Sequence, residues 1–558
     1  MKKHLILVLS LLAFVTSAFA QLSTKQLPFS IRKGVKSSIN SLTLSSPDMY
    51  LINQQDNERA ELFKAPRCAV GLPVEQDFFS KATKTTLTKG NLYQLSIKVE
   101  GALALNLHSS DFFIPEGGEL YIFNPDKSKC LGAFTSDNNT ADGMFATEYV
   151  YGDEMIIEYY QPKTTTQVAK IRITGVGYFY RDVINFEEEQ LAAVKEKPTK
   201  GFYDSGSCNV NVNCSEGDSY RDVQRSTVRL LLTANAYGDQ YWCTGTLINN
   251  TNNDRTPYIL SAGHCMENFT STSYFSQILV YFNYETSGCS TTYTEPSYTS
   301  IRGATYLAHD NKYGKNGGSD YLLFRLNKEV PSSINPYWSG WTRTQTASTK
   351  GVGIHHPSGD VKKISTYKYS IAGENYDDST WLESSHWFVE WSKTTNGFGI
   401  TEGGSSGSGI FNSNQLLVGM LSGGVSSCQQ SSQYQFDWYG KFYVAFPYLK
   451  SWLDPLNTND TVLNGINYAE AGLMEEQSSM SFNVYPNPAE DNINISVNMP
   501  ANGVLSVLDA LGRSIYSENV HQGSNQLNID VKSWIKGTYF VRIYSKGNVQ
   551  IEKIIVGK

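Results

Sequence analysis

The stretch Glu402-Gly403-Gly404-Ser405-Ser406-Gly407-Ser408-Gly409 places serines among glycines that allow a sharp backbone turn. A serine hydroxyl is a weak nucleophile near neutral pH, so chemical use of Ser406 requires a base within reach. Taken alone, a run of glycine and serine is typical of an ordinary loop. The stretch is therefore informative only if the chain also supplies an imidazole and a carboxylate in suitable positions.

Two other segments supply those groups. The stretch Tyr258-Ile259-Leu260-Ser261-Ala262-Gly263-His264-Cys265 ends an apolar strand at an imidazole, and Ser319-Asp320-Tyr321-Leu322-Leu323-Phe324 opens another with a carboxylate. A single His or Asp is more often structural, but the order His264, Asp320, Ser406 is one in which nucleophilic triads occur. We therefore predict that His264 is the general base, Asp320 its orienting partner and Ser406 the nucleophile.

The glycines beside Ser406 have a second consequence for the chemistry. They allow the backbone N–H groups of Gly404 and Ser406 to point at the oxygen that becomes negative when a carbonyl carbon is attacked. Such donors act mainly on the transition state, where each is worth about 3 kcal/mol. We predict an oxyanion hole formed by these two groups.

These motifs carry a resemblance to a known family. Residues 206–457 resemble the trypsin-like proteases and, more closely, the bacterial lysyl endopeptidases. The matching stretches are Gly206-Ser207-Cys208, Cys214-Ser215-Glu216-Gly217-Asp218, Cys243-Thr244-Gly245-Thr246-Leu247, Ala262-Gly263-His264-Cys265, Ile354-His355-His356-Pro357, Gly404-Ser405-Ser406-Gly407-Ser408, Asp437-Trp438-Tyr439-Gly440 and Ser451-Trp452-Leu453-Asp454-Pro455. The resemblance implies an all-β, double β-barrel protease domain and an endopeptidase that cleaves after lysine, with neither a metal nor a cofactor.

The resemblance also implies substrate-binding residues. Asp437 matches the carboxylate of the family's primary specificity pocket, where a lysine ammonium needs an anionic partner. Without the resemblance, Asp437 would be interpreted as a solvated loop residue. Trypsin-type pockets keep their carboxylate six residues before the nucleophile, where this chain has Ile400. Ser422, Gly424 and Trp381 complete the predicted substrate-binding set.

Two positions depart from the family pattern. Ser405 stands where trypsins have the aspartate that pairs with a newly formed N-terminal amine, so activation by that ion pair is not expected here. Ser422 stands where lysyl endopeptidases have a histidine that stacks on a tryptophan, for which Trp381 is the match. Half of that stacking pair is therefore missing, and the rate or the fine specificity could differ from the family's.

The chain has eight cysteines, of which Cys68 and Cys130 precede the protease-like segment. The resemblance implies the disulfides Cys208–Cys428, Cys214–Cys289 and Cys243–Cys265, and the first two cysteines could pair with each other. The competing interpretation is a zinc site, which the absence of any C-x-x-C pair disfavours.

The flanking segments indicate export. Residues 1–20 have the charged start, apolar stretch and small-residue end of a signal peptide. Residues 21–200 show period-two alternation at Tyr93–Val99, which predicts a β-rich segment. This segment resembles a protease propeptide, and Lys200-Gly201 fits self-cleavage by a lysine-specific enzyme. The protease domain is predicted at 201–457 and a polar linker at 458–481. Residues 482–558 predict a small β-sandwich and resemble the sorting domain of the type IX secretion system.

The predicted protein is thus secreted through the periplasm to the cell surface or medium, with proteins or peptides as substrates and the type IX machinery as a partner. No later segment is apolar enough to cross a membrane. A net charge of −7 gives no support for nucleic-acid binding. Two alternatives stay open, namely a protease accepting both Lys and Arg and an inactive binding or adhesion protein. An adhesive or carbohydrate-binding sandwich likewise remains the alternative for 482–558.

Overall fold

The computed structural model describes most of the chain. The described residues are 27–61, 65–181, 205–290, 296–310, 318–374, 384–429, 435–468, 481–499, 502–510, 513–521, 523–545 and 548–557. The predicted signal peptide, Lys200 and Trp381 lie outside them. The described residues form two compact units, one up to Tyr468 and the other from Ser481 onward, and the fold is all-β, as predicted.

The N-terminal part of the first unit consists of two β-sheets that share one core. One sheet has the order β1-β4-β10-β6-β7 with β3 at its edge, and the other contains β2, β11, β5, β8 and β9. Ile97 and Ile157 from the first sheet and Val176 from the second belong to the same buried cluster. The elements are α1 (Phe29–Lys33), β1 (Asn40–Leu44), α2 (Met49–Glu61), β2 (Arg67–Asp77), α3 (Phe78–Lys81), β3 (Thr83–Leu87), β4 (Gly90–Val99), β5 (Ala104–Phe113), β6 (Glu119–Phe123), β7 (Cys130–Phe134), β8 (Phe145–Ala146), β9 (Val150–Tyr151), β10 (Glu154–Pro162) and β11 (Lys170–Phe179).

The middle of the chain forms the two barrels that the resemblance implied. The first has the strand order β17-β16-β13-β14-β15-β19-β18, and the second has the order β12-β23-β22-β26-β27-β28-β25-β24. The elements are β12 (Val210–Asn211), α4 (Arg221–Ser226), β13 (Thr227–Thr233), β14 (Gln240–Ile248), β15 (Tyr258–Ser261), β16 (Leu279–Phe282), β17 (Thr299–Arg302), β18 (Ala304–His309), β19 (Leu322–Leu326), β20 (Tyr337–Trp338), β21 (Trp341–Thr342), β22 (Gly351–His355), β23 (Lys363–Tyr367), β24 (Ala372–Glu374), β25 (His386–Glu390), β26 (Gly409–Asn412), β27 (Leu417–Gly424), β28 (Phe436–Lys441), α5 (Phe442–Leu453), β29 (Val462–Leu463) and β30 (Ile466–Asn467).

A buried apolar cluster joins the two barrels. Leu260 and Leu323 from the first barrel pack in the same cluster as Val352 and Phe411 from the second. Burying apolar side chains from both barrels together stabilises their relative position, since each buried Val, Leu or Phe contributes about 1.5–3 kcal/mol. The loops at the end of this cluster carry the candidate site.

One sheet continues from the N-terminal part into the first barrel. Strand β2 pairs with β14, where Ala69 lies opposite Gln240 and Arg67 opposite Tyr241. The N–H of Trp242 also donates to the carbonyl of Pro66 at 3.2 Å. The N-terminal part is therefore attached to the barrel by main-chain hydrogen bonds, which the sequence did not predict.

The second unit is a small sandwich of two antiparallel sheets, β31-β32-β35 and β34-β33-β36-β37. Ile495, Val507 and Val541 lie in its core. The strands are β31 (Ser481–Tyr485), β32 (Asn492–Met499), β33 (Gly503–Leu508), β34 (Ser514–Val520), β35 (Gly523–Asp530), β36 (Gly537–Ser545) and β37 (Asn548–Val556). Within the described ranges of both units, no helix is long and apolar enough to cross a membrane.

Candidate active site

Two neighbouring strands bring His264 and Asp320 together. Strand β15 ends at Ser261, which lies opposite Leu322 at the start of the antiparallel strand β19. His264 lies in the turn that follows β15, and Asp320 comes just before β19. Because paired antiparallel strands end and begin at the same edge of a sheet, residues distant in the chain meet there.

The imidazole and the carboxylate are joined by two hydrogen bonds. The ring Nδ1 of His264 lies 2.7 Å from Oδ2 of Asp320, and the backbone N–H of His264 donates to Oδ1 at 2.8 Å. Burial alone would lower the pKa of His264, but the charge of Asp320 and this hydrogen bond raise it. Burial alone would raise the pKa of Asp320, but His264 lowers it. The carboxylate therefore stays ionised and accepts the Nδ1 proton, which leaves Nε2 of neutral His264 as a base.

Ser406 lies beside this pair. Its carbonyl accepts the N–H of Thr244 at 2.8 Å, and the adjacent Cys243 is bonded to Cys265, which follows His264. A Cβ atom built on Gly407 would lie 2.6 Å from the N of Ala262, two residues before His264. Ser406 is thus held against the turn that carries the imidazole. Nε2 of His264 is buried and has no hydrogen-bond partner among the described residues.

The loop before Ser406 has the turn that the glycines predicted. Gly404 has φ of +92°, and a Cβ atom there would lie 2.9 Å from the N of Gly359, so only glycine fits. The N–H groups of Ser405 and Gly407 donate to the carbonyls of Glu402 and Leu421. Those of Gly404 and Ser406 donate to no acceptor in the described part of the chain. Among the described residues, the two predicted oxyanion donors thus have no acceptor.

Asp437 lies beside a cleft that Ser406 also lines. The cleft measures about 300 Å³ and its lining includes Ile400, Thr401, Gly424 and Ser426. Asp437 lies opposite Gly424 in the sheet, and a Cβ atom on that glycine would lie 1.8 Å from Oδ1 of the carboxylate. Asp437 itself is fully buried behind this lining, whereas the resemblance implied a carboxylate within the pocket.

The carboxylate of Asp437 accepts only neutral donors among the described residues. The hydroxyls of Thr401 and Ser426 donate at 2.8 and 2.7 Å, and the indole N–H of Trp391 also donates. Burial raises the pKa of Asp437, and the hydrogen bonds only partly offset this. A buried anion compensated by dipoles alone favours the approach of a cation, because the Coulomb attraction is strong away from water.

The remaining substrate-binding predictions have different outcomes. Gly424 lines the cleft, whereas Trp381 lies outside the described residues. Ser422 is buried and contacts Nε2 of His386 at 3.0 Å, and its hydroxyl helps to lower the pKa of Asp320. The sequence therefore placed Ser422 at the substrate, but the structure places its hydroxyl behind the imidazole–carboxylate pair.

Three residues that the sequence analysis did not select lie around the site. His386 contacts Ser422, and His355 lies between the hydroxyls of Ser405 and Ser365 at 2.8 and 3.0 Å. Burial lowers the pKa of His386 to about 4 and that of His355 to about 3, so both are neutral. The stretch Ile354–Pro357 matched the family, which was a signal for His355; no comparable signal marked His386 or Ser365.

The three disulfides that the resemblance implied are present, namely Cys208–Cys428, Cys214–Cys289 and Cys243–Cys265. The possible pairing of Cys68 with Cys130 is wrong, because no bond joins these two residues. The sulfur of Cys68 instead lies 3.4 Å from the carbonyl oxygen of Gln240, where β2 meets β14. No group of side chains suited to binding a metal is found in the described ranges.

The double barrel and a glycine-flanked serine beside an imidazole–carboxylate pair define a serine protease-like class of protein. Within this class, residues 202–440 match the family described as lysyl endopeptidase, C-terminal domain. A relative from Pseudomonas aeruginosa, lysyl endopeptidase, is 31% identical over 263 residues, which are 46% of this chain and 53% of the relative. The resemblance is thus confirmed, and the chain spans about half the length of this relative.

Residues 483–557 match the secretion system C-terminal sorting domain. This match confirms the second resemblance and the predicted export by type IX secretion to the cell surface or beyond.

Solved structures of two proteases are also similar. The active form of the Rv3671c protease from M. tuberculosis has 12% identity, a TM-score of 0.28, and coverage of 45% of this chain and 92% of its own. The HtrA-type protease AlgW with tripeptide has 10% identity, a TM-score of 0.29, and coverage of 62% and 98%.

Proposed function

We propose that the chain is the precursor of a secreted serine endopeptidase that cleaves peptide bonds after lysine through an acyl-enzyme. One observation carries the proposal. Asp320 accepts hydrogen bonds from both the ring and the backbone of His264, while the Ser406–Gly407 segment packs against the turn that carries that ring. This arrangement provides a base, its orienting anion, a nucleophile and oxyanion donors in one place.

Each step follows from a group at the site. Nε2 of His264 takes the proton of Ser406 as its oxygen attacks the carbonyl carbon of the substrate. The N–H groups of Gly404 and Ser406 bind the resulting oxyanion. His264 then gives its proton to the leaving amine, which departs and leaves an ester on Ser406. Water hydrolyses the ester by the same proton transfers and regenerates the serine.

The preference for lysine rests on Asp437. A lysine side chain in the cleft would bring its ammonium towards the hydroxyls of Thr401 and Ser426, which donate to Asp437. These hydroxyls keep free lone pairs that accept from an ammonium, and the buried carboxylate supplies the opposite charge behind them. Two hydroxyl acceptors suit the compact ammonium of lysine, whereas the planar guanidinium of arginine carries five donors that they cannot satisfy.

Asp437→Asn is expected to lower kcat/KM for a lysyl substrate by about 10²–10³-fold, the usual cost of losing one partner of a buried charge pair. The amide retains much of the hydrogen bonding but not the charge. A matched substrate with norleucine in place of lysine should be cleaved as before. Glu390→Gln, which removes one exposed negative charge from the adjacent strand, is the control. Equal losses on the two substrates would contradict the assignment of Asp437.

Cleavage-site profiling tests the function itself. The processed protein is incubated with one denatured protein, and the new termini are read by mass spectrometry. Cuts after lysine alone support the proposal, and cuts after both lysine and arginine favour a trypsin-like protease. No cuts would favour the binding or adhesion protein.

We also propose the processing scheme predicted from the sequence, with a signal peptide at 1–20, a propeptide at 21–200, a mature enzyme from 201–457, a linker at 458–481 and a removable sorting domain at 482–558. Contacts at the cleft support the propeptide. Asp56, Arg59, Pro66 and Arg67 line the same cleft as Ser406. Arg59 also donates to Asn268 and lies over the ring of Tyr241. The propeptide therefore covers the cleft from the side of β14.

Lys200→Gln is expected to produce a precursor that does not cleave proteins but still reacts with a small sulfonyl fluoride. The residues from the propeptide exclude a polypeptide, whereas the cleft of about 300 Å³ beneath them admits a small reagent. The measurements are proteolysis of casein and the mass of the labelled chain, with Ser406→Ala as the control for labelling. Full proteolytic activity of intact Lys200→Gln protein would contradict the proposed covering.

A further inference from the structure

Ser405 has an unusual environment for the residue before a nucleophile. It is fully buried, and its hydroxyl oxygen accepts the N–H of Glu402 at 3.2 Å and lies 2.8 Å from Nδ1 of His355. Its own N–H donates to the carbonyl of Glu402 at 2.9 Å. Ser405 therefore closes a tight turn from Glu402, and the oxyanion donor Gly404 lies inside that turn. We call residues Glu402–Ser406 the oxyanion loop.

The hydrogen bonds around His355 have a single consistent direction. The hydroxyl of Ser365 donates its one proton to the carbonyl of Ile400 at 3.2 Å, so at its other contact it must accept from Nε2 of His355. A neutral imidazole has one N–H, which makes Nδ1 an acceptor for the hydroxyl of Ser405. Burial and the nearby charge of Lys363 keep His355 neutral by lowering its pKa to about 3.

This chain of hydrogen bonds connects the oxyanion loop to the second barrel. His355 ends β22 and Ser365 lies within β23, two paired strands. One end of this hydrogen-bonded chain is the hydroxyl of Ser405 within the oxyanion loop, and the other end is the carbonyl of Ile400 before the loop. Two rigid strands therefore hold the loop through neutral groups alone.

A second set of contacts also uses neutral donors. The carboxylate of Glu402 accepts the N–H of Gly206 at 2.8 Å, the amide of Asn209 at 3.1 Å and the hydroxyl of Ser358 at 3.2 Å. Gly206, at the start of the protease region, thus contacts the loop through an ordinary peptide N–H and not through a free N-terminal amine. The contact does not need an amine that appears only after cleavage.

We propose that His355 is a positioning residue that holds the oxyanion loop in its donating geometry, independently of any new N-terminal amine. The proposal rests on the proposed peptidase function. It also identifies the hydrogen bonds of His355 as the replacement, in this chain, for the aspartate–amine pair that trypsins form at the position of Ser405. It implies that processing uncovers a site whose oxyanion hole is already formed.

The test uses the processed enzyme carrying His355→Ala, Ser405→Ala or both. Each single substitution should lower kcat on a lysyl amide substrate by about 10²-fold, comparable to losing one oxyanion donor, with little change in KM. Affinity for a peptidyl-lysine boronic acid, which forms a tetrahedral adduct on Ser406, should fall by a similar factor. Because the two residues share one hydrogen bond, the loss in the double variant should be clearly smaller than the product of the two single losses.

Two further variants separate positioning from folding. His355→Gln retains an N–H and an oxygen acceptor and should recover part of kcat. His356→Gln alters the neighbouring buried imidazole, which hydrogen-bonds the carbonyl of Asp360 rather than the oxyanion loop, and should leave boronate affinity unchanged. All rates are normalised to active sites titrated with a small organophosphonate.

Three results would overturn the inference. These are a rise in KM with unchanged kcat, additive losses in the double variant, or unchanged boronate affinity in His355→Ala and Ser405→Ala. If one of these results is obtained while the wild-type enzyme still cleaves after lysine, the inference about His355 is wrong but the proposed function stands. A wild-type enzyme without Ser406-dependent cleavage overturns both proposals.

Discussion

Ser406→Ala is expected to lower kcat on a lysyl peptide substrate by about 10⁶-fold, the largest effect that we predict. Without the hydroxyl no acyl-enzyme forms, and the oxyanion donors and the cleft provide only residual rate enhancement. KM should change little, because the lining of the cleft at Thr401, Gly424 and Ser426 is untouched. Steady-state kinetics of the processed variant, matured in trans by a small amount of wild-type enzyme that is then removed, provides the measurement.

The control for this substitution is Ser413→Ala, which removes an exposed hydroxyl from the turn after β26. It should have wild-type kinetics. Labelling by a sulfonyl fluoride should disappear in Ser406→Ala and persist in Ser413→Ala. If Ser406→Ala keeps a substantial part of the activity, another group is the nucleophile and the proposed mechanism is wrong.

Asp320→Asn should cost about 10⁴-fold in kcat, because an amide at this position favours the wrong tautomer of the base. Asp320 accepts both the Nδ1 proton and the backbone N–H of His264. An asparagine can satisfy that backbone donor with its oxygen, which leaves its N–H₂ facing Nδ1. The Nε2 of His264 then carries the proton and cannot accept one from Ser406.

The pH profile provides an independent readout of Asp320→Asn. Burial lowers the pKa of His264, and the negative charge of Asp320 more than offsets it and raises the pKa above its ordinary value. Removing that charge leaves the effect of burial, so the acidic limb of the residual activity should move to lower pH. Asp454→Asn, which changes a buried carboxylate that binds Thr251 and Thr458, is the control. An unchanged acidic limb would mean that Asp320 does not act on His264.

Much of the strand pattern was readable in the sequence because alternation of apolar side chains is local. The prediction at Tyr93–Val99 falls within β4 (Gly90–Val99). The pairing of β2 with β14 was not predictable in this way. It depends on the unpaired backbone N–H and C=O groups at the edge of a strand in another part of the chain, and side-chain alternation does not specify which edge they meet.

For the site residues, too, some roles could be predicted from the sequence and others depended on the tertiary structure. His264, Asp320, Ser406 and Gly404 could be named from their sequence surroundings, since each occurs at a strand end or in a turn with a recognisable composition. Ser422 was assigned to the substrate by position, yet its hydroxyl contacts His386. The direction of a side chain depends on the bulge between Leu421 and Gly423, which appears only when β27 pairs with β28.

The sequence by itself supplied the groups that the proposed chemistry uses, namely Ser406, His264, Asp320 and the glycines of the turn. The family resemblance added the three disulfide pairs. Only the tertiary structure decided that Asp437 is buried behind the cleft lining and that His355 contacts Ser405. It also decided that His386 contacts Ser422 and that β2 pairs with β14. The physical reason is that residue type and turn geometry are local properties. Hydrogen-bond partners between distant strands depend instead on how the barrels pack.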